Sequence, residues 1–90
     1  MELLDLRKQL EDVDKKMASL FEQRMEIIEN VRKYKNAHKM DVYDSVREND
    51  MYNKYKDYII NKDLMSYYFM FLESTLLISK NYMYDKNQDV

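Results

Sequence analysis

Ninety residues without a single Gly, Pro, Cys or Trp leave this chain few ways to fold or to do chemistry. The length suits one small domain. Missing glycines remove the positive-φ positions that tight β-hairpins need, and missing cysteines remove thiol catalysis, redox switching and Cys-zinc sites. Fifteen basic against seventeen acidic residues give a net charge of −2, which argues against a nucleic-acid-binding stripe. No apolar run reaches membrane-spanning length, and the opening MELLDLRKQ lacks the apolar core of a signal peptide. An all-α, cytoplasmic protein with no membrane role is the expectation.

The first predicted helix runs from about Glu2 to about Ala37. Its apolar positions are Leu3, Leu6, Leu10, Val13, Met17, Leu20, Ile27, Val31 and Tyr34. Their alternating spacing of three and four residues marks a heptad seam. Arg24 occupies one position of that seam. A guanidinium facing a helical core is costly unless a carboxylate or an external anion meets it. Glu48 and Asp44 are the internal candidates; a bound anion is the external one. A helix of this length spans roughly 50 Å, more than two shorter helices can cover. Pairing of two long helices in a homodimer is therefore predicted, all the more because a domain this small has little core of its own.

Residues 36–43 read as a loop. Asp44 and Ser45 both offer N-caps, and Ser45-Val46-Arg47-Glu48 fits a capping box. The second helix is expected from about Ser45 to about Ile60, followed by a turn at Asn61-Lys62-Asp63 with Asp63 as the next N-cap. The third helix carries Leu64, Tyr67, Tyr68, Phe71, Leu72, Leu76, Ser79 and Met83 on one broad face and is expected to end near Tyr84. Residues 1–84 form the predicted helical domain, and residues 85–90 a polar, fraying tail.

Cations on the first helix suggest a binding site. Arg24 and Lys35 are eleven residues apart, which returns them to within about 20° of one face and roughly 16 Å along the axis. Two such cations can grip a small dianion. Arg7 lies about 25 Å from Arg24 and about 100° round the helix, so it cannot serve the same site within one chain. In an antiparallel pair, Arg7 of the second chain approaches Arg24. Taken singly, most of these residues have plainer readings. Arg7 and Lys35 can be solvated, Glu48 can be a capping residue, and Ser79 a small packing residue. The lone His38 ends the first helix, and Tyr and Met side chains are packing groups. One His and no Cys supply no catalytic triad and no His-based metal site.

Taken together, the residues resemble the small all-helical chorismate mutases over about residues 3–83. The resemblance is carried by Leu6-Arg7 with Val13-Asp14, by Leu20-Phe21-Glu22-Gln23-Arg24 and by Val31-Arg32-Lys33-Tyr34-Lys35. It continues through Val42-Tyr43-Asp44-Ser45-Val46-Arg47-Glu48 and the run from Phe71-Leu72 to Ile78-Ser79-Lys80. No single motif is specific; the ordered set is. The family implies three helices per chain, intertwined as a homodimer with two sites built from both subunits. It implies the Claisen rearrangement of chorismate to prephenate in Phe and Tyr biosynthesis, with no metal and no cofactor. By resemblance, Arg7 of the second subunit and Arg24 hold the substrate carboxylates, assisted by Ser79. Lys35 binds a carboxylate and the ether oxygen. Glu48 and the backbone near Asp44 bind the hydroxyl, and Arg47 supports the site electrostatically.

One position departs from the pattern. The family places Gln or Glu one turn after the third-helix serine, as a second donor to the ether oxygen. With Ser79 as that serine the position is Met83, whose thioether cannot donate. With Ser74 it is Ile78, no better, and Ser79 keeps Phe71-Leu72 in the family's apolar frame. Losing such a donor typically slows a reaction about 100- to 1000-fold. Asn81 or Tyr82 would have to replace it from the wrong angular position. Other readings are pyruvate elimination from isochorismate on the same scaffold, a non-catalytic helical dimer acting as an interaction or regulatory module, and one domain of a longer pathway enzyme. Met83 favours the non-catalytic reading. The retained set Arg7, Arg24, Lys35 and Arg47 opposes it.

Overall fold

The computed structural model describes residues 2–89. Three helices carry the chain: α1 at Leu3–Ala37, α2 at Ser45–Tyr55 and α3 at Met65–Gln88. Short 3₁₀ turns at Lys56–Tyr58 and Lys62–Leu64 join α2 to α3. The all-α, three-helix reading holds. Met1 and Val90, the outer ends of the predicted domain and tail, lie outside the described residues.

α1 is one uninterrupted helix because nothing in residues 3–37 breaks it: no Gly, no Pro and a sustained apolar repeat. Its C-terminal end is closed by two backbone bonds, Lys39 N–H to the Asn36 carbonyl at 3.3 Å and Met40 N–H to the Lys35 carbonyl at 2.8 Å. This is the Schellman pattern, which requires a left-handed residue one past the cap. Glycine usually fills that position. Here Lys39 adopts it with φ 55°, since the chain has no glycine to offer.

α2 is capped by Asp44, whose carboxylate accepts the Arg47 backbone N–H at 3.0 Å. The predicted Ser45–Glu48 capping box is therefore replaced by a cap one residue earlier. The α-helix also stops at Tyr55 rather than Ile60. A 3₁₀ turn follows, and Ile59 is extended, with φ −89° and ψ 118°. Lys62 Nζ donates to the Ile59 carbonyl at 2.8 Å and the Lys56 carbonyl at 3.3 Å, closing the turn through its side chain. The predicted cap at Asp63 also shifts: Asn61 Oδ1 accepts the Asp63 N–H at 3.1 Å and caps the second 3₁₀ turn.

α3 extends a full turn past the expected end at Tyr84. Its last turns are fastened to α1 by polar side chains. The Tyr82 hydroxyl donates to Glu29 at 2.8 Å, Arg32 donates to Asn87 Oδ1 at 3.2 Å, and Asn36 donates to the same oxygen at 2.8 Å. Glu29 also accepts a forked bond from Arg32. Hydrogen bonds from Arg32 first, then from Tyr82, hold the Glu29 carboxyl down to about 2. Residues predicted as a fraying tail thus carry a side-chain clasp.

The core is small. Met51, Leu72 and Leu76 form it, with Tyr52 and Tyr55 packed alongside. α3 lies against both α1 and α2, but it covers only the C-terminal half of α1. The covered stripe is Arg24, Ile28, Val31 and Lys35, all half-buried. The predicted seam positions Ile27 and Tyr34 stay mostly exposed, so the intrachain contact runs along a line rotated from the heptad seam. From Leu3 to Gln23 every residue of α1 is exposed, including Leu10 at 61% and Leu20 at 60%. The chain measures 54 × 28 × 15 Å, a long arm projecting from a short bundle. Among the described residues, no helix is long and apolar enough to cross a membrane.

Candidate active site

Where α2 and α3 meet the C-terminal half of α1, a cavity of about 440 Å³ opens. That volume lies in the range of small-molecule sites. Its walls are apolar, from Ile27, Ile28, Val31, Val42, Met51 and Leu76, and its polar side chains come from all three helices. The predicted residues Arg24, Lys35, Asp44, Arg47, Glu48, Ser79 and Met83 all line it. Arg7 does not; it sits on the uncovered arm of α1.

Local structure explains each placement. Arg24 and Lys35 share the covered stripe of α1, as their eleven-residue spacing predicts. Arg24 finds neither Glu48 nor Asp44 as its partner. Its guanidinium donates to the Ser79 hydroxyl, which in turn donates to the Thr75 carbonyl one turn back at 3.0 Å. Ser79 is only 4% exposed and lines the cavity, whereas Ser74 is exposed. Burial pulls the Arg24 pKa below its ordinary value, with Tyr55 acting in the opposite sense. The guanidinium stays charged throughout.

Lys35 owes its orientation to the helix end. The Schellman closure reverses the chain just after it and returns Val42, whose carbonyl accepts from Lys35 Nζ at 2.9 Å. The early cap at Asp44 has a second consequence. With Arg47 rather than Glu48 at the third helical position, the Glu48 side chain is not engaged in capping and reaches across to α3. There it pairs with Lys80 Nζ at 3.1 Å.

Met83, the residue out of pattern, lines the same cavity and is 4% exposed. The two suggested replacements do not stand in for it. Asn81 is exposed, and the Tyr82 hydroxyl is turned to Glu29. Lys80 and Tyr55 line the cavity too, and neither was assigned to the site from sequence. Lys80 was legible: Leu76, Lys80 and Met83 are spaced four and three residues apart, which puts the lysine on the buried face of α3.

The charge of the cavity follows from its lining. Arg24, Lys35, Arg47 and Lys80 bring four positive charges against two from Asp44 and Glu48, and the net +2 matches a small dianion. The half-buried members, Arg24, Lys35, Glu48 and Lys80, act more strongly beside apolar walls than they would in water.

Of three comparisons with known proteins, one finds a match to this chain. No curated protein and no solved structure matches it. The family model described as Chorismate mutase type II matches residues 6–72, a span that holds Arg7, Arg24, Lys35, Asp44, Arg47 and Glu48 and stops before Ser79 and Met83. With well over half of its length matched, the chain belongs to the chorismate mutase type II family.

Proposed function

We propose that the protein rearranges chorismate to prephenate, the step leading towards Phe and Tyr, as a cytoplasmic homodimer whose two sites each take Arg7 from the other subunit. The observation that carries this reading is the convergence of Arg24, Lys35, Arg47, Glu48 and Ser79, from three helices, on one cavity of net charge +2.

The chemistry asks little else of a protein. Within one molecule the ether C–O bond breaks as a C–C bond forms, and the electrons move in a ring. No proton, nucleophile or cofactor takes part. Rate comes from holding the dicarboxylate in its compact conformer and from positive charge at the ether oxygen as it becomes negative. Arg24, held by Ser79 on α3, offers a forked donor to one carboxylate. Arg7 of the second subunit takes the other. Lys35, steered by the Val42 carbonyl, serves a carboxylate and the ether oxygen. Glu48 accepts from the substrate hydroxyl beside the backbone of Asp44, and Arg47 adds positive charge at the cavity wall.

One observation favours a second reading. A buried thioether at Met83 leaves the ether oxygen with Lys35 as its donor, which suits a fold kept for association rather than catalysis. Chorismate decides between them. Purified protein should remove chorismate absorbance well above the uncatalysed rate, with prephenate as the product. Release of pyruvate from isochorismate instead would assign the lyase reaction. A folded dimer that accelerates neither reaction would establish the non-catalytic reading.

A further inference from the structure

Lys80 stands at the end of the cavity that the proposed binding mode gives to the substrate hydroxyl. Its ammonium lies 3.1 Å from one oxygen of Glu48 and 3.3 Å from the other, and 4.8 Å above the centre of the Tyr43 ring. Both partners of the ion pair are about three-quarters buried, at 23% and 21% exposure. An exposed ion pair would carry little meaning. This one is largely buried, lines the cavity, and its ammonium also lies over the Tyr43 ring. Of the two carboxylates in the cavity wall, Asp44 is engaged in capping α2. Glu48 is the one left to receive a ligand, and Lys80 is the cation that balances it.

We propose that Lys80 is a positioning and specificity-determining residue: it holds Glu48 between α2 and α3 and makes this end of the site a neutral pair that accepts a hydroxyl and rejects an ammonium. A carboxylate has about four acceptor positions, so Glu48 can bind Lys80 and still accept from a substrate O–H. Without Lys80, the same carboxylate would be an unbalanced negative charge that attracts a cationic group. With Lys80, an ammonium at the hydroxyl's position meets a second ammonium across the shared carboxylate, and like charges brought this close in an enclosed site discriminate strongly.

The inference rests on the chorismate reading, and its test separates the two. Chorismate and the analogue carrying an amino group in place of its hydroxyl are compared as substrates of the wild-type protein and of Lys80→Met, Lys80→Gln and Lys80→Arg. The quantity read is the ratio of kcat/KM for hydroxyl over amino substrate. It should fall by about 100-fold in Lys80→Met, through a higher KM for chorismate and a lower one for the amino analogue, and be largely kept in Lys80→Arg. If Lys80→Met does not fold, as judged by helical circular dichroism, Lys80→Gln gives the same comparison with a polar side chain. General loosening of the α2–α3 contact would lower both kcat/KM values together and leave the ratio where it was. An unchanged ratio in an active protein overturns the role of Lys80 alone. A wild-type protein inert towards chorismate overturns the chorismate reading, and this inference with it.

Discussion

Met83 sits one turn after Ser79 on the buried face of α3, where the proposed binding mode needs a donor. The ether oxygen gains negative charge only in the transition state, so a donor there acts on kcat more than on KM. Met83→Gln supplies an amide at nearly the same length. It should raise kcat by about 10-fold or more, given what a missing oxyanion donor costs. Steady-state kinetics on the dimeric variant check this, and an unchanged kcat would mean that another group already serves the oxygen. Arg24 is the complementary case. Its predicted anionic partners are engaged elsewhere, Asp44 with the Arg47 backbone N–H and Glu48 with Lys80; Arg24 settles on a neutral hydroxyl, which leaves its charge available to a ligand. A seam arginine without a carboxylate partner is the residue-level sign that the cavity is meant to be filled.

The end of α1 shows how a composition limit becomes a structural feature. Lys39 takes the left-handed conformation because the Schellman closure needs it and the chain has no glycine. A non-glycine residue there costs about 1–2 kcal/mol relative to one without a Cβ. Lys39→Gly should therefore stabilise the protein by about 1 kcal/mol, some of the gain being lost to a more flexible unfolded chain. Urea denaturation at fixed protein concentration measures it, and a lower midpoint would contradict the account.

Much at the element scale was legible before the structure. α1 was placed to within a residue from its apolar spacing, and the placing of Arg24 and Lys35 on one cavity followed from helix geometry. The misses have physical causes. The capping box at Ser45 lost to Asp44 because two adjacent capping residues compete and only one can take the extended backbone. α3 outran Tyr84 because Asn87 and Tyr82 bond to Arg32, Asn36 and Glu29, and partners some fifty residues away in sequence leave no local signal. Lys80 was overlooked because a lysine is read as solvated, although its spacing from Leu76 and Met83 placed it inward.

On the scale of the molecule, the N-terminal half of α1 has no covering element within the chain. Leu3, Leu6, Leu10, Val13, Met17 and Leu20 form an apolar line on the uncovered half of α1, and Tyr67, Met70 and Phe71 are exposed on the first half of α3. Half-burial of the six α1 residues in each of two chains would contribute on the order of 10 kcal/mol before association costs. Sedimentation at micromolar concentration should give about 22 kDa, twice the chain mass of 11.1 kDa, with unfolding midpoints that rise with protein concentration. A stable, fully helical monomer would refute the paired architecture.

In the proposed dimer, Arg7 of one subunit completes the cavity holding Arg24 of the other. Arg7→Ala and Arg24→Ala homodimers should each be nearly inactive towards chorismate. Mixed and allowed to exchange subunits, they form heterodimers with one intact site and one doubly damaged site, so random pairing in a two-fold dimer should restore about one quarter of wild-type activity. Verified exchange with no restoration would place both arginines in the same subunit's site, or Arg7 in none, and would contradict the shared active site.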